Sequence, residues 1–371
     1  MEHTRRTWAT VNLAAAKENI KKIRKIVGHS CALMSVVKAD AYGHGATEIA
    51  RTIEDYSDFF AVSNIDEAVQ LRNAGIKKPV LILGYTPPHS MTLLAEYGIT
   101  QTVFSYEYGK TLSAAANAIG SKITVHIKID TGMNRLGFSA QNEEAFERSV
   151  KEIKELSKEE FLEFEGIFTH FAVADEPSNP FTKIQFERFC NCVSALEKEG
   201  IKFRFRHAAN SAAIINFPEM KLNMVRPGLI LYGITTNRHD TIGLKPVMEL
   251  KTTVSFIHDF KKGDSVSYGQ TYVAEKDMKI ATLPIGYADG LFRALSKNLN
   301  VVINGKNAPV IGRICMDQCM VDVTGLDVKT EDEVTIFGDD KSVYELSDAI
   351  ATIPYEIICD IGKRVPRVYI R

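Results

Sequence analysis

The sequence predicts an α/β protein with an N-terminal (β/α)₈ barrel and a mainly-β C-terminal domain. In the first part of the chain, short apolar segments alternate with helical patterns, and eight of these segments are strand candidates. Alternation over roughly 200 residues fits a barrel better than an open doubly wound sheet, which the count alone leaves possible. The last third of the chain holds short strand-like segments with few helical patterns.

The barrel elements follow an N-terminal strand and helix. Trp8–Val11 is the strand, and Asn12 caps a helix whose apolar residues repeat at helical spacing until Gly28 ends it. The eight strands are predicted at Ala32–Val37, Phe59–Ser63, Val80–Leu83, Thr102–Phe104, Ile123–Ile129, Phe164–Thr169, Phe203–Arg206 and Met224–Val225. Helical patterns between most of them are predicted at Thr47–Tyr56, Ile65–Ala74, Tyr108–Ala118, Glu143–Leu156 and Lys183–Glu199.

The sequence pattern changes after the last barrel strand, from alternating strands and helices to a polar connection and then short strands. Gly233–Pro246 is polar and turn-rich, so we expect domains at residues 1–240 and 241–371, with the extreme N-terminal strand as a candidate member of the second. Asn304-Gly305 predicts a hairpin turn, and Tyr344–Ala351 predicts a helix. The strands are predicted at Glu249–Ile257, Val266–Val273, Ile280–Leu283, Val301–Ile303, Ala308–Ile314, Met320–Val323, Glu333–Ile336 and Val365–Ile370.

Composition argues against several classes of function. The 45 basic and 46 acidic residues nearly cancel and form no basic stripe, which argues against nucleic-acid binding. No apolar run reaches membrane-spanning length and Met1–Trp8 has no signal character, so we expect a cytoplasmic protein without a membrane partner. Six scattered cysteines indicate reduced thiols, and their spacing predicts no structural metal.

Four residues that could take part in catalysis follow predicted strands. Lys38, His170, His207 and Arg226 each come directly after a strand, where a barrel carries its catalytic face. A primary amine at the position of Lys38, if its charged form is disfavoured, can form a Schiff base with an aldehyde. Each residue also has an ordinary explanation, because strand-end lysines are usually exposed and lone barrel histidines are usually packed or solvated.

The segment Val37-Lys38-Ala39-Asp40-Ala41-Tyr42-Gly43-His44-Gly45 resembles the cofactor-lysine motif of alanine racemases, which hold pyridoxal 5′-phosphate (PLP) as an imine. The resemblance covers nearly the whole chain. It recurs at Asp130-Thr131-Gly132-Met133-Asn134-Arg135-Leu136-Gly137, His207-Ala208-Ala209-Asn210-Ser211, Val225-Arg226-Pro227-Gly228, Val266-Ser267-Tyr268-Gly269 and Cys315-Met316-Asp317.

The resemblance implies racemisation of alanine by two bases. Removing the Cα proton requires an electron sink, which PLP supplies, and returning a proton to the other face requires a second proton-transfer group. The resemblance assigns one face to Lys38, which removes the proton of the D-isomer, and the other to Tyr268. In the family that tyrosine comes from the partner subunit together with Met316, which implies a homodimer with composite sites.

The resemblance also implies a set of cofactor contacts. Ser211, in Asn210-Ser211-Ala212 at a possible helix start, grips the phosphate with help from Gly228 and Tyr42, although Ser211 also has the simpler role of a helix N-cap. Arg226 contacts the pyridine nitrogen and keeps it unprotonated, and His170 couples the arginine to the catalytic tyrosine.

Further residues are expected at the substrate end. Arg135 binds the substrate carboxylate or the tyrosine, and Lys128 beside it is either carbamylated or unmodified with a bound anion. Tyr287 and Asp317 line the entrance. Lys363 stands where some relatives carry a tyrosine, which leaves the choice between alanine and serine open.

Other functions remain to be separated from alanine racemisation. A serine or broad-specificity racemase would share the whole constellation. A PLP-dependent decarboxylase of the same fold would not need Tyr268, and a non-catalytic PLP carrier with only a barrel would lack the C-terminal domain. The resemblance suggests that the product supplies D-alanine to peptidoglycan.

Overall fold

The computed structural model describes residues 6–235 and 242–371. The predicted domain boundary, at residues 240 and 241, lies outside the described residues, as does the middle of the predicted connection Gly233–Pro246. The chain divides into two compact units. The barrel unit comprises Ala16–Ala41 and Ala46–Leu244, and the sheet unit comprises the chain up to Ala15, Tyr42–Gly45 and Lys245–Arg371.

The first element of the described residues is strand β1 (Thr7–Asn12), which belongs to the sheet unit and continues into a helix at Leu13–Val27. Asn12 begins this helix as predicted, because its Oδ1 accepts a hydrogen bond of 2.9 Å from the backbone N–H of Ala15. The apolar residues of the helix, among them Ile20 and Ile23, are fully buried. The predicted periodicity therefore marks its packed face.

The barrel unit is a closed ring of eight parallel strands, as the sequence predicts. The strands of this unit are β2 (Ala32–Val36), β3 (Phe59–Val62), β4 (Val80–Ile82), β5 (Thr100–Val103), β6 (Ile123–Asp130), β7 (Phe138–Ser139), β8 (Leu162–Phe168), β9 (Phe205–His207) and β10 (Met224–Val225). β10 pairs with both β9 and β2, and β5 pairs with β6, so the ring has no free edge. The short β7 pairs only with the end of β6, outside the ring.

Helices alternate with the strands of the ring. They lie at Ala46–Ile53, Ile65–Asn73, Thr92–Glu96, Tyr106–Ala118, Glu143–Leu156, Phe181–Lys198 and Ser211–Asn216. Four of them start at a polar residue whose side chain accepts a backbone N–H of the first turn, namely Asn64, Ser105, Asn142 and Asn210. The sequence therefore carries explicit start signals for most of the outer layer.

β5 differs from its predicted span because its first residues are polar. Thr100, Gln101 and Thr102 are all buried. The ring satisfies their side chains, since Thr102 Oγ1 donates to the Ile82 carbonyl at 2.6 Å and Gln101 Nε2 donates to the Gly84 carbonyl at 2.8 Å. An apolar pattern cannot reveal a strand whose inward side chains are polar and paired.

The sheet unit contains a nine-stranded sheet and a two-stranded ribbon. Its further strands are β11 (Met248–Thr253), β12 (Phe256–Phe260), β13 (Ser265–Val266), β14 (Tyr272–Val273), β15 (Met278–Leu283), β16 (Asn300–Ile303), β17 (Lys306–Ile311), β18 (Cys319–Asp322), β19 (Glu333–Phe337) and β20 (Arg367–Ile370). The large sheet runs in the order β12, β15, β18, β17, β16, β19, β11, β1, β20. The N-terminal strand β1 is antiparallel to β11 and parallel to β20.

Local signals in the sheet unit had mixed outcomes. The predicted hairpin at Asn304-Gly305 is confirmed, with φ of 50° and 72° between the paired residues Ile303 and Lys306. The prediction of one strand at Val266–Val273 was wrong, because Ser267, Gly269 and Gln270 have positive φ and turn the chain between β13 and β14. The helix at Val343–Ala349 was expected, whereas the six-residue helix at Pro354–Cys359 was not.

None of the helices within the two described stretches has the length and hydropathy that crossing a membrane requires.

Candidate active site

Lys38 lies just beyond β2 and starts a left-handed turn of the backbone. The four residues that follow it, Ala39, Asp40, Ala41 and Tyr42, have φ between 51° and 54°. Left-handed helical geometry costs an L-residue roughly 1–2 kcal/mol, so four in succession require support from their surroundings. Strain of this kind concentrates at functional sites. The sequence did not predict it, since only the neighbouring glycines indicated a turn.

Two carboxylates of the barrel unit hold this turn. Glu67 accepts hydrogen bonds from the backbone N–H of Ala39 at 2.8 Å and of Ser63 at 2.7 Å. Asp40 Oδ1 accepts the backbone N–H of Ala46 at 2.7 Å. Charged acceptors on backbone donors form strong hydrogen bonds, so these contacts offset part of the strain. Sequence reasoning missed Glu67, which carries no signal beyond its place in a helix.

Arg226 is buried, and its two terminal nitrogens are fully engaged. Nη1 contacts Nδ1 of His207 at 2.8 Å and its carbonyl at 3.1 Å. Nη2 donates to the carbonyls of Thr169 at 2.7 Å and Ala208 at 3.0 Å, and lies 3.4 Å from Nδ1 of His170. Burial lowers the pKa of Arg226 to about 9, which leaves the guanidinium protonated at neutral pH.

The barrel unit brings several of the predicted site residues together around His170. Burial lowers the pKa of His170 well below its usual value, and the positive charges of Arg226, Lys128, Arg135 and Lys38 lower it further. Charges that act on one imidazole must lie near it. The end of the barrel that carries Lys38 is therefore strongly cationic, and its histidine is neutral at neutral pH.

Lys128 is buried on β6. Burial lowers the pKa of its ammonium to about 7, and the charge of Arg226 adds to the effect while Asp130 opposes it. Its Nζ lies 5.2 Å from the ring centre of Phe168. Asp130 Oδ1 accepts three backbone N–H groups, those of Gly132, Met133 and Asn134, and thereby shapes the loop that presents the exposed Arg135.

Ser211 and Gly228 meet at the predicted phosphate end. The backbone N–H of Gly228 donates to Ser211 Oγ at 2.9 Å. The simpler role of Ser211 as an N-cap was wrong, because Asn210 caps the helix by accepting the N–H of Ala213 at 3.0 Å and Ser211 is the first helical residue. The hydroxyl of Ser211 is therefore not used to start the helix.

In the sheet unit, Tyr268 projects from the turn between β13 and β14. Its side chain is 69% exposed and so is not part of the packing of the sheet. Ser267, with φ of 62°, donates from Oγ to the carbonyl of Arg313 at 2.7 Å and so anchors the turn. A side chain at Gly312 would meet Val266 within 2.9 Å, so the two segments lie in close contact.

Tyr287, Met316 and Asp317 lie on two loops that one buried carboxylate holds together. The backbone N–H of Tyr287 donates to the Cys315 carbonyl at 3.1 Å, and Asp317 pairs with Arg364 at 2.7 Å. Asp289 is fully buried and accepts from both Arg364 and Arg6 at 2.7–3.2 Å.

Asp289 also accepts the backbone N–H of Gly286 at 3.0 Å, which closes the turn that carries Tyr287. Tyr287 and Met316 are 43% and 52% exposed, so their side chains are presented rather than packed. Sequence reasoning missed Asp289, because nothing in the local pattern shows that two distant arginines share it. The residue before Arg364, Lys363, is exposed.

Tyr42, the last residue of the left-handed turn, belongs to the sheet unit. It is buried, and its ring lies 5.8 Å from that of Tyr355 at a tilted angle. The carbonyl of neighbouring Gly43 accepts a hydrogen bond of 2.9 Å from Nε of Arg367. Tyr42 is thus held by the sheet unit, and its proposed contact with the cofactor phosphate stays a prediction.

Comparison with known proteins gives one family over the whole chain. Residues 11–236 match the family model described as alanine racemase, N-terminal domain, and residues 247–369 match alanine racemase, C-terminal domain. An alanine racemase of Desulforamulus reducens is 46% identical over 98% of both chains.

Solved structures give the same result. An alanine racemase structure from Clostridium difficile 630 has a TM-score of 0.95 and 41% identity, covering 100% of this chain and 97% of that one. A structure of the same enzyme in complex with cycloserine has a TM-score of 0.92 and 40% identity, covering 100% and 96%. With family models matched over most of its length and a relative 46% identical over 98% of both chains, the chain belongs to the alanine racemase family.

Proposed function

We propose that this chain interconverts L-alanine and D-alanine with PLP by a two-base mechanism and that the D-alanine supplies peptidoglycan synthesis. The observation that carries the proposal is the cationic cluster of the barrel, in which the buried guanidinium of Arg226 lies 3.4 Å from His170 and 2.8 Å from His207. The charges of Lys38, Lys128 and Arg135 also act on His170. An anionic cofactor and a carboxylate substrate both suit such a surrounding.

The donors of the barrel unit fit PLP. The amine of Lys38 would hold the aldehyde carbon of the cofactor, and the hydroxyl of Ser211 with the backbone at Gly228 would bind the phosphate beside the helix that Asn210 starts. Tyr42 would add a phenol to the same phosphate. When bound, PLP supplies the electron sink that makes the Cα proton of alanine acidic.

Arg226 would face the pyridine nitrogen of the cofactor. Its terminal nitrogens are held by three carbonyls and two imidazoles, so the guanidinium is fixed in one plane. Because both terminal nitrogens are engaged, the Nε–H would donate to the ring nitrogen, and a guanidinium that stays protonated would give that nitrogen no proton. His170, 3.4 Å from Nη2, would link this arginine to the catalytic tyrosine.

Lys38 and Tyr268 would move protons on opposite faces of the substrate carbon. Lys38 Nζ takes the proton of the D-isomer and the phenol oxygen of Tyr268 takes that of the L-isomer, each returning a proton in the reverse direction. The strong exposure of Tyr268 supports a role toward a second copy of the chain, together with the exposed Met316. Arg135 would hold the substrate carboxylate, and Tyr287 and Asp317 would line the entrance. The functional unit is then a homodimer.

The direct test follows D-alanine and carbon dioxide after purified protein receives L-alanine. We expect D-alanine without gas. Release of carbon dioxide would point to a decarboxylase, and neither product would point to a PLP carrier; both outcomes contradict the proposal. The same assay with L-serine measures the specificity that Lys363 leaves open.

Two variants test the assigned bases. Lys38→Ala should remove the visible absorbance of the bound cofactor together with activity. Tyr268→Phe should keep that absorbance and lose racemisation by about 10²-fold or more. Tyr97→Phe, which alters a half-buried tyrosine before β5, at the opposite end of the strands from Lys38, is the matched control and should behave as wild type. A fully active Tyr268→Phe protein would rule out the second base.

A further inference from the structure

The buried side of Arg226 continues into a chain of side chains to which the proposed mechanism gives no role. Nη1 of Arg226 contacts Nδ1 of His207 at 2.8 Å, and Nε2 of His207 contacts Nδ1 of His126 at 2.9 Å. Nε2 of His126 lies 3.4 Å from Oε2 of Glu165. Both histidines are fully buried. The four side chains form one continuous hydrogen-bonded path through the interior of the barrel unit.

Hydrogen-bond chemistry gives this chain a single direction. A guanidinium only donates, so Nδ1 of His207 is the acceptor and the proton of that ring sits on Nε2. Nε2 of His207 then donates to Nδ1 of His126, which leaves the proton of His126 on Nε2, facing the carboxylate of Glu165. Burial lowers the pKa of both histidines, and so both rings are neutral at neutral pH.

Two backbone features make room for the chain. Val125 of β6 pairs with Phe164 of β8, but the next residue, His126, pairs with Gly166, so Glu165 is the extra residue of a β-bulge. Bulges redirect side chains, and this one brings Glu165 to His126.

The second feature is the glycine after the bulge. A Cβ at Gly166 would lie 2.5 Å from ring atoms of His126, so no larger residue fits there while the ring keeps its place. On the other side, the ring of Phe168 stacks on His207 at 4.7 Å with an interplanar angle of 4°. The rings of both histidines are thus confined by residues of β8.

Glu165 is the carboxylate at the end of this path. Among the described residues no carboxylate forms a hydrogen bond with Arg226, whose direct partners are carbonyls and imidazoles. The side chain of Glu165 is 18% exposed and also lies 3.5 Å from Nη1 of Arg204. The chain therefore connects a buried cation to an anion near the surface through two neutral rings.

We propose that His207, His126 and Glu165 are positioning residues for Arg226. By ordering every donor from the guanidinium outward to the carboxylate, they hold Nη1 in place and keep the imidazoles in one tautomer. The effect on racemisation rests on the proposed contact between Arg226 and the cofactor ring, whereas the order of the hydrogen bonds does not.

The first test reads the tautomers directly. In ¹⁵N-histidine-labelled holoprotein, long-range ¹H–¹⁵N spectra at pH 7 should show His207 and His126 with a protonated Nε2 and a bare Nδ1. Signals are assigned with His126→Gln and His207→Gln. A proton on Nδ1 of either ring, or a doubly protonated ring, would overturn the proposal whether or not the protein racemises alanine.

The second test breaks the chain at its far end. Glu165→Ala removes the acceptor and should shift the His126 and His207 signals, lower kcat about tenfold and leave KM for alanine within about twofold. Glu165→Gln keeps an acceptor oxygen and should restore most of kcat and the wild-type tautomers.

Glu163→Ala, at an exposed residue two positions earlier on β8, is the matched control and should change neither the histidine signals nor kcat. Unchanged spectra and kcat in Glu165→Ala, or a Glu165→Gln protein as impaired as Glu165→Ala, would contradict the proposal. If the protein does not racemise alanine, the proposed function fails. The tautomer measurement still decides whether His207, His126 and Glu165 are ordered as proposed.

Discussion

At the scale of single residues, burial changes the acid–base chemistry of Lys128. An exposed lysine amine is almost fully protonated at neutral pH, but removal from water and the nearby charge of Arg226 bring the pKa of Lys128 to about 7. A substantial fraction of the amine is then neutral and nucleophilic. Only the family resemblance identified Lys128 as a site residue in the sequence, because it lies within the buried strand β6 and no local pattern marks it.

This chemistry predicts a carbamate on Lys128. A neutral amine attacks carbon dioxide, forming an N–C bond and releasing one proton. With ¹³C-bicarbonate at pH 8, we expect one ¹³C carbamate resonance that weakens as the pH falls below about 7, because protonation removes the nucleophile. Lys128→Met should lose the resonance, and Lys122→Met, at an exposed lysine just before β6, should retain it. Absence of the signal in wild type would favour an unmodified lysine with a bound anion.

At the scale of elements, the left-handed turn after Lys38 directs the chain at the cost of backbone strain. Ala39 and Asp40 are exposed, so their side chains contribute little packing to offset it. The hydrogen bonds from Ala39 to Glu67 and from Ala46 to Asp40 provide the local support.

The strain predicts opposite effects of one substitution at two exposed alanines. Ala39→Gly should raise the free energy of unfolding by about 1 kcal/mol, because glycine adopts positive φ without strain. Ala114→Gly, within the helix Tyr106–Ala118, should lower it by about 1 kcal/mol. Denaturant unfolding measures both. Equal destabilisation by the two variants would show that Ala39 is not strained.

A second element-scale feature is the pair of loops joined at Asp289. Burial alone would raise the pKa of this carboxyl, but hydrogen bonds from Arg6, Arg364 and the Gly286 backbone outweigh it and lower the pKa below its usual value. The carboxylate therefore stabilises the fold above the pKa of an unfolded aspartate, near 4, and this contribution is lost as the pH falls through the lower folded value.

Asp289→Asn should destabilise the protein by about 1–3 kcal/mol at pH 7, because two partly exposed guanidinium groups lose their shared anionic acceptor. The difference from wild type, measured by thermal unfolding, should shrink below about pH 4. Asp259→Asn, at an exposed residue of β12, serves as control. A deficit that stays constant down to pH 3 would contradict the assigned charge effect.

At the scale of the whole molecule, the two proposed bases belong to different units. Lys38 is part of the barrel unit and Tyr268 is part of the sheet unit. The family resemblance implies that each active site takes its lysine from one protomer and its tyrosine from the other.

Mixing two inactive variants tests this arrangement. Lys38→Ala and Tyr268→Phe proteins, unfolded together in equal amounts and refolded, should recover up to about a quarter of wild-type activity, since half of the dimers are mixed and each mixed dimer has one intact site. Each variant refolded alone should stay inactive. If both bases came from the same protomer, the mixture would gain nothing.

Local patterns predicted much of the fold but missed features set by contacts. The barrel, the hairpin at Asn304-Gly305 and the cap at Asn12 follow from apolar periodicity and turn chemistry, which neighbouring residues carry. The turn at Tyr268 was mistaken for a strand because the contact that anchors it, from Ser267 to Arg313, joins residues 46 positions apart and leaves no local pattern. The start of β5 was missed because its polar side chains are paired only within the closed ring.

The sequence by itself determined the order of strands and helices, the two kinds of architecture and, through motif resemblance, which residues to suspect. Only the tertiary structure decided which of these residues lie close together in space. The cationic cluster at His170, the pKa of Lys128 and the chain from Arg226 to Glu165 all join residues far apart in sequence. Electrostatic and hydrogen-bond energies depend on distance and burial in space, and neither is encoded in the order of neighbouring residues.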